Sequence, residues 1–357
     1  MADWTDYLAH AGACFDSAPS SLPVTVNFGS PYANVDALTR NAVAVPLLHL
    51  GLIRATGEEA DVFLHRLLSN DVTGLAENAV QWTSFSTAQG RMLASFLLWR
   101  DGGDLCLALS SDLASALLRK LSFYILRAKV KLSLLEQERV LIGLAGPMAG
   151  ECLSRTALPA PEADMRQLAS ADRRTIRLGE RLFILDLPAF EAPAAFDALR
   201  QTGIAASGTA SWQLAAIRAG VPLITAATQE AFVAQMLNFE LFGGVSFTKG
   251  CYPGQEIIAR TQHLGKPKRR MFRIGLLSPP SGTDISPGTA LYGSTPESGG
   301  GQAAGVIVNF APLPEGGEAL AVIRTEFVRA GDKIHIGTPD GPCAEVLELP
   351  YEVPEAR

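Results

Sequence analysis

The order of apolar and polar residues predicts alternating strands and helices in the first part of the chain. The aliphatic run LHLGLIRATG (48–57) predicts a strand, and EEADVFLHRLLSND (58–71), acidic at its start with an apolar stripe, predicts a helix. QWTSFSTAQG and RMLASFLLWR predict strands, and DGGD (101–104) predicts a hairpin turn before the strand DLCLALSS. A helix in DLASALLRKLSFYIL and a strand in AKVKLSLLE complete a βαββαβ-like order, typical of a split α+β layer with antiparallel strands.

A second, weaker copy of this pattern follows. RVLIGLAGP predicts a strand, MAGECLSRTA a helix, and TIRLGERLFILDLP a hairpin around Gly179 and Glu180. EAPAAFDALRQTG predicts a helix that ends at Gly203. SWQLAAIRAGVPLI predicts a helix that is capped by Gly220 and stopped by Pro222.

After Lys268 the predicted elements change from alternating helices and strands to short strands alone. Six short apolar segments, RRMFRIGLL, TALYGS, AAGVIVNF, ALAVIRTEFV, KIHIG and AEVLELP, are separated by turns rich in Gly and Pro. Short strands with no helix between them predict a small β-barrel or sandwich. GKPKRR (265–270) is then a domain boundary, and a ligand crevice is expected beside it.

Composition narrows the class of protein. The 357 residues are 48% hydrophobic and 18% charged with a formal net charge of −6, which indicates a globular protein of two or three domains and excludes a general polyanion binder. The five cysteines form no Cys-x-x-Cys pair, so neither a disulfide framework nor a zinc module is expected. The N-terminus lacks a signal-peptide layout, and the apolar runs are too short to span a bilayer. We therefore expect a cytoplasmic protein with no membrane partner.

One segment is positively charged, in contrast to the negative net charge of the whole chain. Between residues 249 and 273, seven Lys and Arg residues stand against Glu256 alone. This excess predicts an anionic ligand, nucleic acid or an acidic partner nearby. The alternative is that these cations pair with acidic residues elsewhere in the fold. We do not expect direct nucleic-acid binding, because the segment lacks interleaved aromatic residues and the whole chain is acidic.

The same segment holds a lone cysteine in TKGCYPGQEIIART (248–261). Pro253 suits the first turn of a helix that continues through GQEIIAR, so Cys251 is predicted just before a helix N-terminus. Free amide donors there favour an anion, and the charge of Lys249 adds to this effect. Both would lower the pKa of the thiol, which makes Cys251 a candidate functional thiolate with Lys249 as its activator.

The residues around this cysteine predict a shaped loop. Gly250 and Gly254 allow other backbone or a ligand to approach closely. Gln255 and Glu256 are expected to orient a polar group or to close the loop by hydrogen bonds. The alternative is a tight turn with a small buried cysteine.

A catalytic or metal-binding role for this thiol requires further residues. A nucleophilic cysteine needs a base, and His263 is the only candidate nearby in the sequence. A metal is not expected, since one cysteine without a partner at ligand spacing cannot hold a metal alone.

FTKGCYPGQEIIART resembles the signature of the YgfZ group of folate-binding proteins, which act in iron–sulfur cluster maintenance. The pattern Lys-Gly-Cys-aromatic-x-Gly-Gln-Glu is matched from Lys249 to Glu256, with Tyr252 as the aromatic residue. AIRAGVPLI, NFELFGGVSFTKG, FYILRAKVKLSLLE and TGEEADVFLHRLLSNDV are similar to further elements of the group. The resemblance covers roughly residues 45–350.

This group is related to the glycine-cleavage T-protein, a tetrahydrofolate-dependent aminomethyltransferase. The resemblance implies an α+β, GcvT-like ring of three domains around a folate cavity, with split βαββαβ-type layers and a terminal antiparallel β-barrel. The implied domains are an N-terminal folate-binding domain at 1–135, continued by 207–266, a middle α+β domain at 136–206 and the barrel at 267–357.

The resemblance also implies tetrahydrofolate as a cofactor. Trp212 falls where the group places an aromatic residue at the folate pocket, and a flat ring suits stacking on a pterin. The alternative for Trp212 is a core or surface tryptophan. Arg260, in the basic segment, is a further candidate for cofactor binding, because the glutamate tail of folate is anionic.

One difference in sequence distinguishes the YgfZ group from the aminomethyltransferases. Aminomethyltransferases carry a catalytic aspartate on the strand after the first helix, whereas GRMLASFLLWR has no Asp or Glu before Asp101. The resemblance therefore implies an accessory factor for iron–sulfur cluster assembly or repair, with indirect effects on tRNA modification. Its partners would be folate and iron–sulfur client or assembly proteins. The alternative is a folate-dependent aminomethyl or one-carbon transferase.

Overall fold

The computed structural model of the protein describes residues 4–16, 25–30, 34–264, 267–277, 285–294, 301–330 and 333–354. The helices of these ranges are α1 (Trp4–His10), α2 (Val35–Arg40), α3 (Ala60–Leu67), α4 (Ser111–Ser122), α5 (Ala149–Ser154), α6 (Ala192–Gln201), α7 (Thr209–Arg218), α8 (Gln255–Leu264) and α9 (Thr325–Ala330). The strands are β1 (Cys14–Asp16), β2 (Thr25–Asn27), β3 (Val43–Pro46), β4 (Leu50–Thr56), β5 (Val80–Ser86), β6 (Met92–Asp101), β7 (Asp104–Ser110), β8 (Lys131–Leu134), β9 (Arg139–Ala145), β10 (Arg166–Ser170), β11 (Arg173–Gly179), β12 (Leu182–Pro188), β13 (Ala205–Ala206), β14 (Arg269–Leu277), β15 (Ala290–Ser294), β16 (Gln302–Leu313), β17 (Gly316–Arg324), β18 (Lys333–Ile336) and β19 (Cys343–Leu347).

The first repeat forms a five-stranded sheet in the order β5-β6-β7-β4-β8. The predicted hairpin turn is confirmed, since Asp101 pairs with Asp104 where β6 meets β7. Helix α4 buries the stripe Leu113, Leu117 and Leu121, which recurs at the four-residue spacing of one helix face. A Cβ on Gly51 would lie 2.8 Å from the Cβ of Ala114, so this glycine lets α4 pack closely on β4.

The second copy of the pattern contributes β9 to β12 to a six-stranded sheet in the order β10-β11-β12-β9-β3-β13, which is completed by β3 from before the first copy and by β13. The predicted hairpin between β11 and β12 is confirmed, with Gly179 paired with Leu182 at its end. Helix α6 is followed by Gly203 with a φ of 94°, the left-handed conformation that ends helices. Phe196 and Leu199 of α6 are fully buried in the core with Leu185 of β12.

The C-terminal part forms a closed antiparallel barrel in the order β14-β17-β16-β15-β18-β19, which confirms the predicted barrel. The prediction of no helix in this part is wrong, because TEFV, expected to end a strand, begins α9. Phe327 of α9 is 1% exposed and belongs to the barrel core. A helical turn after β17 turns this ring into the core, where it packs so close to Gly293 that any Cβ there would clash with it.

Several elements were not predicted. Helices α1 and α2 and strands β1 and β2 lie in the first forty residues, where no element was predicted. Strand β10 buries only Gln167 among its five residues, so it lacks the apolar alternation that reveals a strand. Edge strands of this kind are held by backbone hydrogen bonds to a neighbour, here β11.

The chain divides into two compact units. The first unit consists of Met1–Phe63, Val72–Gln81 and Phe96–Ala215, and the second of Leu64–Asp71, Trp82–Ser95 and Ala216–Arg357. The domain boundaries implied by the resemblance stay a prediction. Within the described ranges, no helix combines the length and apolar character needed to cross a membrane.

Candidate functional site

The cysteine loop, residues 248–256, precedes and enters helix α8 in the second unit. The predicted helix is confirmed, although Pro253 lies two residues before its first residue and not in its first turn. Cys251 is an exposed free thiol, four residues before α8. The alternative of a buried cysteine in a tight turn is therefore wrong for this residue.

Lys249 is buried, with 9% of its surface exposed, and its ammonium group closes the end of helix α3. Its Nζ donates to the backbone oxygens of His65, Leu68 (2.6 Å) and Asn70 (3.2 Å). Carbonyl oxygens at a helix C-terminus have no partner within the helix, and a cation is favourable there. The contacts therefore give Lys249 a structural role, and its role as activator of Cys251 stays a prediction.

Burial sets the ionisation of this lysine. Removal from water is the largest influence and lowers the pKa of Lys249 to about 8, while the charge of Asp71 acts in the opposite direction. Since about 8 is above neutral pH, most molecules keep the charged form near pH 7. The ammonium group can then donate one proton to each of the three carbonyl oxygens.

Tyr252 is the second anchor of the loop and is 7% exposed. The Nζ of Lys249 lies 4.9 Å from the centre of its ring, which is the geometry of a cation–π contact. Burial raises the pKa of Tyr252 to about 12. Its hydroxyl group has no hydrogen-bond partner among the described residues, so the ring and not the hydroxyl group holds the loop.

Gly254 is the third anchor, and its position requires glycine for two reasons. Its φ of 81° lies in the left-handed region, and a Cβ there would lie 2.6 Å from the Cα of Gly90 and from the carbonyl oxygen of Thr87. Thr87 and Gly90 belong to a turn closed by the hydrogen bond from Gly90 N to Thr87 O (2.9 Å). The start of α8 therefore packs directly on this turn.

The loop thus alternates between buried anchors and exposed residues. Gly250 and Cys251 are exposed between the anchors Lys249 and Tyr252, and a Cβ on Gly250 would meet nothing within 4 Å. Gly250 leaves open space beside the thiol, which permits the close approach of a ligand or partner backbone.

Gln255 and Glu256 complete the motif at the start of α8. The backbone N–H of Gln255 donates to Tyr252 O (3.1 Å), which closes the turn. Glu256 is exposed and Gln255 is half-buried, and neither side chain is hydrogen-bonded within the described part of the chain. Both side chains are available to a bound group.

His263, the candidate base, lies at the far end of α8. Its ring contacts Phe247 edge-on with 6.4 Å between ring centres. It is eight residues after Gln255, about 12 Å along the helix axis at the usual rise. No contact within the described ranges joins His263 to Cys251, so the structure does not bring this pair together.

The basic segment divides into buried and exposed cations. Arg270 Nη1 donates to Glu240 Oε1 and to Gln235 O (2.8 Å), and Arg273 Nε lies 3.4 Å from Glu318 Oε2. These two arginines thus follow the alternative interpretation of pairing within the fold. Lys268, Arg269 and Arg260 are exposed and have no ion-pair partner in the described part of the chain, and Lys266 lies outside the described residues.

The hydrogen bonds that support α8 and β14 were not predicted from the sequence. Gln235 is fully buried and donates through Nε2 to Ile258 O of α8 (2.7 Å). Asn238, also fully buried, donates through Nδ2 to Met271 O of β14 (2.8 Å). A signal existed in AQMLNFELFGG (234–244), where Gln235 and Asn238 interrupt an apolar run, but their partners lie more than twenty residues away in sequence.

Trp212, the candidate for folate stacking, lies in the first unit on helix α7 and is 6% exposed. A Cβ on Gly143 would lie 2.3 Å from Cε3 of the Trp212 ring, so only glycine at 143 leaves room for the ring. A pterin could reach Trp212 only on the side away from Gly143, and neighbouring side chains would have to move. The role of Trp212 in folate binding stays a prediction, as does that of Arg260.

Asp101, the only carboxylate on strand β6, is held by arginines within the first unit. Its Oδ1 accepts a hydrogen bond from Arg174 Nη2 (2.6 Å) and its Oδ2 accepts one from Arg54 Nη2 (3.1 Å). Burial opposes its ionisation, but the two guanidinium groups outweigh it and hold the pKa of Asp101 below its ordinary value. Both carboxylate oxygens of Asp101 are therefore hydrogen-bonded within the fold. Within the described ranges, no group of three or more His, Cys, Asp or Glu side chains is arranged to hold a metal ion.

Comparisons with known proteins identify the family and the fold. A family model described as GCVT N-terminal domain matches residues 6–231. The "tRNA-modifying protein YgfZ" of Edwardsiella ictaluri is 28% identical over 69% of this chain and 76% of its own length, and that of Vibrio vulnificus is 27% identical over 68% and 74%. The structure is similar to the glycine cleavage system aminomethyltransferase T from Bartonella henselae, with a TM-score of 0.74, 19% identity and coverage of 96% of this chain and 95% of that chain. The predicted fold class and the resemblance to the YgfZ group are thus confirmed, and the chain belongs to the family defined by the GCVT N-terminal domain.

Proposed function

We propose that this protein is a tetrahydrofolate-binding accessory factor for iron–sulfur cluster assembly or repair, and that Cys251 is its working residue. The observation that carries the proposal is that buried and exposed residues have separate roles in the cysteine loop. Lys249, Tyr252 and Gly254 are buried and fix the backbone, whereas Gly250 and Cys251 are exposed. A thiol that is exposed on an anchored loop can meet a partner protein or a cluster at low entropic cost.

Folate binding is supported by the fold. The structural neighbour is an aminomethyltransferase of the glycine cleavage system, and the resemblance to this group implies tetrahydrofolate as the cofactor. When bound, tetrahydrofolate would supply a pterin ring for aromatic contact and an anionic tail. Trp212 would contact the ring on the side away from Gly143.

The alternative function is a folate-dependent aminomethyl or one-carbon transferase. Such an enzyme needs a free carboxylate to stabilise the cationic reacting amine. Strand β6 has Asp101 as its one carboxylate, and Arg54 and Arg174 occupy both of its oxygens. This observation favours the accessory function over the transferase.

The proposed role of the Cys251 thiol also indicates the compartment and the partners of the protein. Because Cys251 is proposed to act as a free thiol, we place the protein in the reducing cytoplasm. We propose that its partners are iron–sulfur client or assembly proteins. The relatives named tRNA-modifying proteins support an effect on tRNA modification, which would be indirect if the modifying enzymes depend on such clusters.

A folate titration separates the two functions. Tetrahydrofolate is titrated into the purified protein, into Cys251→Ala and into Trp212→Leu, with intrinsic fluorescence as the binding signal and a parallel assay for one-carbon turnover. The accessory function predicts equal binding by the wild type and Cys251→Ala, weaker binding by Trp212→Leu, and no turnover. Turnover by the wild type would establish the transferase instead, and absence of binding by the wild type would remove folate from the proposal.

A further inference from the structure

A second surface with unusual chemistry lies far from the cysteine loop in sequence. The basic–aromatic segment, residues 119–131, begins in the last turn of α4 and ends at the start of β8 in the first unit. Phe123 is 80% exposed, Leu126 is 90% exposed and Tyr124 is 45% exposed. Large apolar side chains placed together in water mark interaction sites more often than chance exposure.

The backbone holds this segment in a defined shape. Tyr124 N donates to Leu121 O (3.0 Å), and Ala128 N donates to Ile125 O (2.7 Å). Leu126 has a φ of 45°, a left-handed conformation that costs a leucine about 1 kcal/mol or more. The fold thus accepts backbone strain and still leaves this leucine in water, a combination that is concentrated at functional sites.

The charges of the segment are also unused by the fold. Arg119, Lys120, Arg127 and Lys131 are exposed and have no ion-pair partner within the described ranges. Lys129 differs, since its Nζ donates to Glu58 Oε2 (2.7 Å). Within the described residues, four exposed cations without ion-pair partners thus share a thirteen-residue segment with two exposed aromatic residues, in a chain whose formal net charge is −6.

We propose that the basic–aromatic segment binds single-stranded nucleic acid. Each nucleotide offers a phosphate to a Lys or Arg side chain and a base face to an aromatic ring, and the segment presents both chemistries within thirteen residues. Phe123 and Tyr124 are the stacking side chains, and Leu126 packs against the bases or sugars. Direct nucleic-acid binding was not expected, because the basic run at 249–273 lacks interleaved aromatics and the whole chain is acidic. The segment at 119–131 combines local positive charge with aromatic residues, so the proposal departs from that expectation.

The size of the positive segment favours a single strand over an anionic membrane. The basic–aromatic segment is thirteen residues long in a chain of formal net charge −6, and this small positive area suits a narrow strand better than an extended anionic surface. The flat base faces also match the two adjacent aromatic rings, which a bilayer does not require.

The test uses fluorescence anisotropy with a labelled oligo-uridine of about 12 nucleotides. Four phosphate contacts predict a slope of about −2.8 in the logarithm of the affinity against that of the salt concentration, or about 50-fold weaker binding from about 50 to about 200 mM salt. Phe123→Ala should weaken binding about tenfold through lost stacking. The double variant Arg119→Gln with Lys120→Gln should flatten the salt slope by about 1.4. Its matched control, Lys268→Gln with Arg269→Gln, removes two exposed cations elsewhere and should bind as the wild type does.

Unfolding midpoints of every variant are measured in parallel, so that loss of folding is not read as loss of binding. The proposal is overturned if the wild type does not bind the oligonucleotide, if Phe123→Ala binds equally well, or if the control variant is the weakened one. Equal binding of a duplex of the same length would also overturn it, since charge alone would then suffice. Binding of phosphatidylglycerol vesicles, lost in Phe123→Ala and without oligonucleotide binding, would assign the surface to anionic lipid instead.

Discussion

The two basic regions of the chain, residues 249–273 and 119–131, use their cations in different ways. In the first, Lys249, Arg270 and Arg273 are bound to carbonyl oxygens or carboxylates of the second unit. In the second, Arg119, Lys120, Arg127 and Lys131 are exposed without ion-pair partners among the described residues. The difference shows that a charge run in sequence does not reveal whether its cations stabilise the fold or face a ligand. Substitutions of buried and of exposed cations should therefore differ most in their effect on stability.

The largest effect is expected for Arg270→Gln. This change leaves Glu240 buried without its partner, and breaking a buried ion pair in this way costs about 4 kcal/mol. The free energy of unfolding, measured in urea, should fall by about that amount. Arg269→Gln, the exposed neighbour on the same strand, is the matched control and should change it by less than about 0.5 kcal/mol. Equal effects of the two variants would contradict the distinction between buried and exposed cations.

Lys249→Met should lower the free energy of unfolding by about 3 kcal/mol. Three backbone oxygens lose their charged donor, and buried acceptors without partners are costly. Urea unfolding at pH 7 measures the change, with the exposed Lys268→Met as control. A loss of client activity without any loss of stability would show that Lys249 acts in chemistry and not as an anchor.

The pH dependence of stability tests the burial of Lys249. Its folded pKa of about 8 is below the ordinary lysine value, so between pH 8 and 10 the unfolded chain binds a proton that the folded chain has released. Stability contributed by this group therefore rises with pH in that window. The gap in unfolding free energy between the wild type and Lys249→Met should widen by about 2 kcal/mol from pH 8 to pH 10. A constant gap would indicate that the lysine is not buried.

The smallest effect on stability is expected for Cys251→Ser. The exposed thiol makes no hydrogen bond within the described part of the chain, so the free energy of unfolding should change by less than about 0.5 kcal/mol. Thermal unfolding followed by circular dichroism measures this. A large destabilisation would mean that the thiol supports the loop and that the separation of anchors from exposed residues is wrong.

Local signals in the sequence predicted much of the fold. The hairpin at Asp101–Asp104, the stripe of α4 and the stop of α6 at Gly203 depend on residues a few positions apart. The end of β17 was missed because TEFV is apolar enough to continue a strand, and only the burial of Phe327 in the barrel core explains α9. Tertiary packing outweighs local preference at such positions.

The residues of the candidate site could be predicted from the sequence, but the contacts that these residues make could not. The motif identified Cys251 and placed it before a helix, as the structure has it. The role of Lys249 as an anchor could not be predicted, because its partners at the end of α3 are about 180 residues away in sequence. The same holds for Arg270, whose partner Glu240 is 30 residues away. Periodicity and spacing report neighbours along the chain and carry no signal for such pairs.

The most direct test of the central claim, that Cys251 is the working residue of an anchored loop, is complementation. The activity of an iron–sulfur enzyme is measured in cells that lack this protein and receive the wild type, Cys251→Ser or Cys343→Ser, which replaces another exposed cysteine. Protein levels are matched by immunoblot. The account predicts full activity with the wild type and Cys343→Ser and none above background with Cys251→Ser. Full activity with Cys251→Ser would contradict it.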